Sequence, residues 1–463
     1  MKIGSTITAA LLALVVFLGL PLQSGAQFTE NESRPTSESD PAMGRLFFGK
    51  IKHLLRGYYF DDDFRGANIE KIFETTDTNL RSMASLQDMF AMSSGALMQL
   101  DDPNTYLLPP ARVSVPAYGF ATMMVGDQCL VTFVRPDSQA DKANLRIGDQ
   151  ITAFGSVVPT HHNHWQINMM FYAVNPLAKI HLSVLGLDKI KREIDIDTEY
   201  VSGKDRADEM ARERDRALKE PYVCKQLSPE VATCRIRTFA AKVSGLFSSI
   251  RQDKKLILDL RGTTRGDDDA VLDFVGHLLP RDTLVFRTRE KKKIKDRIAP
   301  TSKEFFDGDI GILVDSRTTG AAEIVARVLQ IQQRARIFGD VTAGVVTRGE
   351  VLVVQVPRNI GRTAVNDMLT LIGVSTAEPI MSDGSHLHGT GVIPDKPMGP
   401  SGFALRQKID PILSQVAKAY GVDITPKQAA DLSFFDPPRF EGLLVSDTPT
   451  KDWVEEIPTR IPN

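Results

Sequence analysis

The sequence predicts an α/β fold of several domains, and three observations lead to that prediction. Short apolar strands alternate with helical segments over residues 221–423, which is typical of a sheet covered by helices on both faces. Over residues 113–200 the pattern changes to short strands separated by turn residues. A chain of 463 residues is also too long for one ordinary core, so two or three domains are expected.

The N-terminal segment predicts export. Lys2 precedes an apolar run from Ile7 to Leu22, and Ser24-Gly25-Ala26 offers the small residues that a signal peptidase accepts. We therefore interpret residues 1–26 as a cleaved signal peptide of a periplasmic or secreted protein. An uncleaved membrane anchor is the alternative, although the run is short for a span and contains Pro21. No later segment is apolar enough to cross a bilayer.

Charge and cysteine content narrow the choice of partners and compartment. The chain has 56 basic and 58 acidic residues, a balance that gives no support for nucleic acid or an anionic membrane as the main partner. Three cysteines in an exported chain allow one disulfide. Cys224 and Cys234 flank a predicted hairpin turn, and if the turn centres on Pro229 they face each other across the strands and can form a disulfide. Two small buried residues are the alternative, and Cys129 lies in an apolar strand of a predicted core.

The first part of the predicted mature chain is helical. Residues 27–41 are polar, show no period and predict a disordered leader. Residues 42–112 form a predicted N-terminal region with helices at Met43–Tyr59 and Ala67–Met98. An ordered loop follows at Leu100–Pro110, where prolines alternate with short polar residues.

Residues 113–200 resemble a PDZ domain. A short helix, an apolar Leu145, a Gly148-Asp149 turn and a strand follow one another as in that family, although Asn144 and Ile147 replace its usual glycine and proline. The resemblance implies a peptide-binding loop that receives a C-terminal carboxylate on backbone N–H groups, with the peptide added as an extra strand. The residues implied are Tyr118, Gly119 and Phe120. A small β-domain that only packs is the alternative.

The second half of the chain divides into three parts. Residues 201–220 are dense in charge and predict a solvated helix or linker. Residues 221–423 predict the α/β core, with strands near Val231–Arg237, Leu256–Leu260, Thr283–Arg287, Gly311–Val314, Ala335–Gly339 and Val351–Val356. Residues 424–463 contain several prolines and little period, so an extended or partly disordered tail is expected.

The segment from Gly311 to Gln333 has two different periods. Gly311–Asp315 is an apolar strand, and from Ala321 apolar residues recur at the i, i+3, i+4, i+7 spacing of a helix with one buried face. The turn between them, Ser316–Gly320, therefore receives the free N–H groups of the first helical turn. Such a turn is suited to binding an anion or an oxyanion.

Several segments in order resemble the S41 family of serine peptidases, the C-terminal-processing or tail-specific proteases and their tricorn-core-like relatives. They are the LDDPNTYL loop, the PDZ-like unit, LILDLRG at Leu256–Gly262, TTGAAEIVARVLQ, GDVTAG at Gly339–Gly344 and GTGVIPD at Gly389–Asp395. The resemblance implies a ClpP/crotonase-like α/β core and the chemistry of a serine-type endopeptidase, in which a serine, a base and backbone donors act on a peptide bond.

The same resemblance implies that the catalytic positions are degenerate. The nucleophile of the family stands three residues before the glutamate that matches Glu323, and this position is Gly320, which has no side chain. One branch of the family places a lysine base where this chain has Val345 or Val346. The other branch places a histidine base where this chain has Asn104.

Other positions of the implied site are partly retained. Gly262, Gly266 and Ala321 match the oxyanion and cleft region, but Thr263-Thr264-Arg265-Gly266 replaces the family's Asn-Pro-Gly-Gly. Glu378 matches an acid that supports the histidine base, and without that base we expect a solvated or hydrogen-bonded carboxylate.

We therefore predict a non-catalytic, polypeptide-binding member of the family. The alternative is an active C-terminal-processing endopeptidase with a relocated nucleophile, Thr319 or Ser316, although either hydroxyl is equally well explained as a capping or turn residue. The expected partners are polypeptide segments or C-termini. The oligomeric state is left open.

Two groups of histidines are candidates for metal or base sites. His161, His162 and His164 lie without a matching acidic or cysteine cluster, which favours an exposed loop. His386 and His388 alternate in a polar turn and would share one face of an extended strand. No metal and no cofactor is predicted.

Overall fold

The structure of the protein is a computed structural model that describes residues 40–110, 114–240, 242–250, 252–264, 266–356, 359–360, 363–364 and 368–432. The predicted signal peptide, nearly all of the predicted leader, Arg265 and the predicted tail beyond residue 432 lie outside this part of the chain. The α/β class is confirmed, since strands and helices alternate through the second half of the chain.

The N-terminal region packs three helices around an apolar cluster that also includes Val354, Ile372 and Val374 of the core. The helices are α1 (Asp40–Tyr58), α2 (Ile69–Asn79) and α3 (Leu86–Met98), followed by the short strand β1 (Tyr106–Leu108). The single helix predicted from Ala67 to Met98 is wrong. Helix α2 ends in a 3-10 turn, the chain becomes extended at Met83, and the Ser85 hydroxyl accepts from the Asp88 N–H to begin α3.

Residues 114–202, here called the β-insert, form a separate antiparallel unit. Its elements are β2 (Ser114–Ala117), β3 (Phe120–Val125), β4 (Gln128–Val134), α4 (Gln139–Lys142), β5 (Gln150–Phe154), α5 (His164–Met169), β6 (Lys179–Leu185), β7 (Lys191–Asp197) and β8 (Glu199–Ser202). Five strands follow the order β3-β4-β5-β6-β7, so β3 lies at an edge of this sheet. Strands β2 and β8 pair where the chain enters and leaves the unit.

The charged segment after the β-insert is a helix. It is α6 (Gly203–Lys219), which buries none of its residues and is capped by the Ser202 hydroxyl. The structure therefore agrees with the solvated helix of the two alternatives that the sequence allowed.

The α/β core contains two large sheets and a two-stranded β17–β18 pair among its described residues. Its elements in chain order are β9 (Tyr222–Ser228), β10 (Val231–Ile236), α7 (Leu246–Ser249), β11 (Lys255–Asp259), α8 (Asp268–Gly276), β12 (Leu284–Glu290), β13 (Lys293–Ile298), β14 (Asp309–Val314), α9 (Ala321–Ile331), β15 (Ala335–Gly339), β16 (Arg348–Val356), β17 (Asn359–Ile360), β18 (Thr363–Ala364), β19 (Met368–Met381), β20 (Lys396–Pro397), α10 (Gly402–Gln407), α11 (Pro411–Ala419) and α12 (Pro426–Asp431).

The first sheet has the order β20-β15-β14-β11-β10-β9 and is parallel except for the β9–β10 hairpin. Side chains alternate between its faces: Leu256 and Leu258 pack with α8 and α9, whereas Ile257 packs with α11 and α12. Both faces are thus covered by helices, and the carboxyl end of β14 leads directly into the turn before α9.

The second sheet is antiparallel and connects the N-terminal helices to the core. Its order is β1-β19-β12-β13, and β16 also pairs with β19. Tyr106 lies opposite Gly373, so the loop that precedes β1 is held beside the core.

Two further features lie at the sheet edge and the end of the described chain. Cys224 and Cys234 are opposite each other in the β9–β10 register and form a disulfide, while Cys129 is buried as a free thiol.

The extended conformation predicted from residue 424 is wrong at its start, because Pro426 opens α12 and Thr425 forms a capping box with Gln428. Over the described ranges, no helix has the length and apolar character to span a bilayer.

Candidate active-site cleft

Gly320 is the N-cap of α9 and has the backbone of a sharp strand-to-helix turn. Its φ of 60° and ψ of −120° are strained for any residue with a side chain. Nucleophile elbows hold their serine on such a strained turn. A Cβ built on Gly320 has the Val345 carbonyl oxygen, 3.8 Å away, as its nearest neighbour. The turn therefore has both the shape and the space for a side chain that the sequence does not provide.

Glu323 fixes the segment that faces this turn. The side chain is fully buried, and its carboxylate accepts from the Thr342 hydroxyl at 2.5 Å and from the N–H groups of Gly344, Val345 and Gly320 at 2.7, 3.0 and 3.0 Å. Burial raises the pKa of Glu323 to about 7, although these four hydrogen bonds act in the opposite direction. The family glutamate thus has a clear structural role without touching any reacting group.

The raised pKa of Glu323 predicts a pH-dependent stability. Because the folded protein favours the protonated form, this contribution is complete below the ordinary pKa of 4.5 and is lost as the pH rises to about 7. The loss should amount to about 3 kcal/mol of unfolding free energy, at ~1.4 kcal/mol for each pKa unit. Urea unfolding of Glu323→Gln at several pH values should lack this decline, because glutamine does not titrate.

The exposed Glu350 supplies a matched control for that experiment. Glu350→Gln should keep the decline of the native protein. A decline of equal size in Glu323→Gln would show that another group causes it.

The hydroxyl groups of the turn are engaged with carbonyl oxygens. Thr319 Oγ1 donates to the Thr264 carbonyl at 3.1 Å, and its N–H donates to the Thr263 carbonyl at 3.0 Å. Ser316 Oγ donates to the Met124 carbonyl of β3 at 2.5 Å. Neither bond brings a base to the hydroxyl. Both relocated nucleophiles that the sequence allowed are thus bound to groups that cannot accept their proton in catalysis.

Neither base position carries a base. The Asn104 amide donates from Nδ2 to the carbonyl and the hydroxyl of Thr347, both at 2.9 Å. The backbone carbonyl of Val345 accepts from the Gly320 N–H at 2.9 Å. Asn104 and Gly320 thus both contact one short segment, residues 345–347.

Glu378 is buried and has partners other than position 104. Its Oε1 lies 2.9 Å from Nδ1 of the half-exposed His386, and its Oε2 lies 2.9 Å from the Arg289 guanidinium. Of the two environments that the sequence left open, the hydrogen-bonded one is present. The expectation that His386 and His388 share one face of a strand is wrong, because His388 is buried elsewhere.

A buried Asp102–His388 pair anchors the loop that carries Asn104, and no local sequence pattern predicts it. His388 Nε2 is 3.2 Å from Asp102 Oδ1, and both side chains are fully buried. Burial alone would raise the pKa of Asp102, but the His388 charge and hydrogen bonds from His388, Ser375 and Thr105 lower it to about 2. This pair fixes the loop, since the Asn104 N–H also donates to Asp102 at 3.0 Å.

Gly262 and Gly266 of the implied oxyanion region both lie close to the α9 turn. The Gly262 N–H, however, is already hydrogen-bonded within the protein. The Gly262 N–H donates to Asp315 Oδ1 at 2.8 Å, and the Arg317 guanidinium covers Gly262. Gly266 packs so closely on Ala321 that a Cβ there would lie 2.5 Å from the alanine Cβ. The cleft floor is therefore retained, while the Gly262 donor is not available to an oxyanion.

The β-insert docks onto this turn through the edge strand β3. Ser316 donates to the Met124 carbonyl, and the Gly126 N–H donates to Asp340 Oδ2 at 2.6 Å. Further along β3, the Tyr172 hydroxyl donates to the Phe120 carbonyl at 3.3 Å. Part of the edge to which a peptide strand would be added is therefore occupied by side chains of the protein itself.

The predicted carboxylate-binding loop is built largely from buried groups. Tyr118 and Phe120 point into the core of the β-insert, and the Tyr118 hydroxyl lies 3.1 Å from the Leu177 carbonyl. The Gly119 carbonyl accepts from the Arg135 N–H at 2.8 Å. Any contact with a peptide end at this loop would come from backbone groups.

A cavity of about 290 Å³ lies between the core and the β-insert. Its walls on the core side include Pro103, next to Asn104, and Gly344, next to Val345, and on the other side His161, His162 and Trp165. The cavity is therefore adjacent to Asn104 and Val345.

The expected exposed loop is present only in part: His161 and His162 lie in a turn, with His162 exposed, but His164 lies in α5. His161 Nε2 lies 3.0 Å from the Val341 carbonyl, His162 Nε2 lies 3.0 Å from Asp101 Oδ2, and His164 begins α5 and bonds Thr122 Oγ1 at 2.9 Å. His161 and His162 thus help to dock the β-insert on the core. No group of three or more ligating side chains suited to a metal occurs among the residues described.

Comparison with known proteins relates the α/β core to a family of peptidases. Residues 230–398 match the model of peptidase family S41. The core therefore carries an S41 peptidase-family domain, and the resemblance predicted from the sequence is confirmed at this level.

Individual relatives extend the similarity over most of the chain. A probable CtpA-like serine protease of Staphylococcus saprophyticus is 24% identical over 365 residues, covering 75% of this chain and 68% of that protein. Mature CPAF in complex with lactacystin has a TM-score of 0.60 at 12% identity, covering 79% of this chain and 95% of the other. A CPAF mutant has a TM-score of 0.59 at 12% identity, covering 87% of this chain and 99% of the CPAF chain. The solved structures show a shared fold.

Proposed function

We propose that this chain is an exported S41 peptidase-like protein that binds polypeptide segments and does not hydrolyse them. The observation that carries the proposal is the glycine at position 320, which has the strained backbone and open space of a nucleophile but no hydroxyl. Acyl transfer needs a nucleophile, and the neighbouring Thr319 and Ser316 hydroxyls donate to carbonyl oxygens.

The absence of a base at position 104 supports the same conclusion. An amide has no basic nitrogen, so Asn104 cannot take a proton from a hydroxyl. His386 is oriented by Glu378 as a base would be, but across the described part of the chain no serine or threonine hydroxyl bonds its Nε2. Gly320 and Asn104 lie on two separate segments of the chain. A different alignment of one segment with the family motif would therefore not restore both a nucleophile and a base.

The cavity beside Asn104 and Gly344 is the proposed place of binding. It combines an aromatic side chain, Trp165, with backbone from the Gly344 segment, which suits an extended polypeptide with an apolar side chain. Addition of a strand along β3, as the PDZ resemblance implies, would require the Ser316 and Tyr172 hydroxyls to leave their carbonyl partners. The proposal therefore assigns the first contact to the cavity.

Filling the cavity should weaken polypeptide binding. Ala343 is part of the cavity wall, and Ala343→Phe should reduce the affinity for a permanently unfolded, fluorescently labelled protein about tenfold, which corresponds to ~1.4 kcal/mol. Fluorescence anisotropy with the full chain measures this effect. The exposed Ala419 on α11 provides the control, since Ala419→Phe adds the same ring away from the cavity. Equal affinity of both variants and the native chain would contradict binding in the cavity.

A further inference from the structure

The strand β13 forms an open edge of the second sheet. In the part of the chain that the structure describes, β13 pairs only with β12. Residues 293–296 and Ile298 are exposed. An edge strand with one partner presents a row of backbone N–H and C=O groups to another extended chain.

The two faces of β13 differ in chemistry. Because side chains alternate along a strand, Ile294 and Ile298 share one face, and their side chains are 65% and 46% exposed. Lys293 and Lys295 share the other face, and neither forms an ion pair with another described residue. On the isoleucine face the remaining residue, Asp296, is paired with Arg287 at 3.1 Å. The edge thus has a cationic side and an apolar side.

Two simpler explanations account for only part of this pattern. Lysines on an edge strand protect against unwanted pairing, but such protection does not explain two exposed β-branched residues on the same strand. Pairing of β13 with a second copy of itself would place lysines near lysines, which is unfavourable across a strand pair. Charge complementarity instead favours a different chain with acidic side chains.

We propose that β13 binds an extended polypeptide strand in which acidic and apolar residues alternate. The added strand would pair with the open backbone of β13, place its acidic side chains near Lys293 and Lys295, and cover Ile294 and Ile298 with its apolar side chains. None of the residues that line the cavity belongs to β12 or β13. The inference is therefore independent of binding in the cleft.

A charge-reversal experiment tests the proposal with the full chain. The probe is a capped, labelled heptapeptide of alternating glutamate and valine, and a second probe has lysine in place of glutamate. The double variant Lys293→Glu with Lys295→Glu should bind the glutamate probe about tenfold more weakly and the lysine probe about tenfold more tightly than the native chain does. The control, Lys71→Glu with Lys418→Glu, reverses two exposed helical lysines and should change neither affinity.

Other outcomes would overturn the proposal. If a probe of the same composition with its glutamates grouped together binds as tightly, simple charge attraction is sufficient and strand addition is wrong. If the control variant loses affinity equally, the net charge of the protein decides binding. If vesicles of anionic phospholipid bind through Lys293 and Lys295 while the alternating peptide does not, the surface recognises a membrane instead.

Discussion

The double substitution Gly320→Ser with Asn104→His is expected to create peptide hydrolysis that neither single substitution creates. A serine side chain fits at position 320, where the nearest atom to a Cβ is 3.8 Å away, although a side chain at φ 60° costs about 1–3 kcal/mol of stability. A histidine at position 104 would lie against residues 345–347, the same segment that borders Gly320. The pair should hydrolyse an unfolded protein substrate about 10²-fold or more faster than either single variant.

A matched control separates the base from the change of shape. Gly320→Ser with Asn104→Gln introduces the hydroxyl together with a side chain that cannot take a proton, and it should remain inactive. Release of fluorescent peptides and labelling by a serine-reactive fluorophosphonate measure the two steps of the chemistry. Hydrolysis by Gly320→Ser alone would mean that a base other than position 104 is already present.

Arg261→Ala is expected to be the most destabilising single substitution in the core. The buried Arg261 guanidinium lies 2.7 Å from both Asp259 and Asp410, which are also buried. The two carboxylates belong to different elements: Asp259 ends β11, and Asp410 caps α11. Removal of the arginine leaves the buried Asp410 without a cation and leaves Asp259 with Arg235 alone, at 3.3 Å, which should cost about 3–5 kcal/mol of unfolding free energy.

Urea unfolding, together with hydrogen exchange in peptides from β11 and β14, measures the effect of Arg261→Ala on the core. Arg237→Ala is the control, because Arg237 pairs with the largely exposed Glu220 at 2.7 Å. That exposed pair should contribute less than about 1 kcal/mol. A similar loss in the two variants would show that the Asp259–Arg261–Asp410 cluster is not a special source of stability.

The elements around the cleft could be predicted because their signals are local. The change from an apolar run to helical spacing at Ala321 marks the end of β14 and the start of α9. The break between α2 and α3 also has a local signal, since Ser85 followed by Asp88 is a typical helix start. The single long helix from Ala67 is wrong because it does not take this signal into account.

The contacts that assemble the cleft could not be predicted from local patterns. Glu323 holds residues 342–345, Ser316 bonds a carbonyl of β3, and Asp102 pairs with His388 near the far end of the chain. Each contact joins segments that are distant in sequence, so no periodicity or spacing contains it. Only the family resemblance indicated that Asn104, Gly320 and Val345 belong to one site.

The most direct test of the central claim is a search for cleavage by the native chain. The purified protein is incubated with an unfolded protein and with C-terminal peptides, and mass spectrometry detects any new termini. We expect no products above the protein-free blank, with polypeptide binding retained. Cleavage by the native chain that disappears in Thr319→Ala would contradict it and would identify a relocated nucleophile.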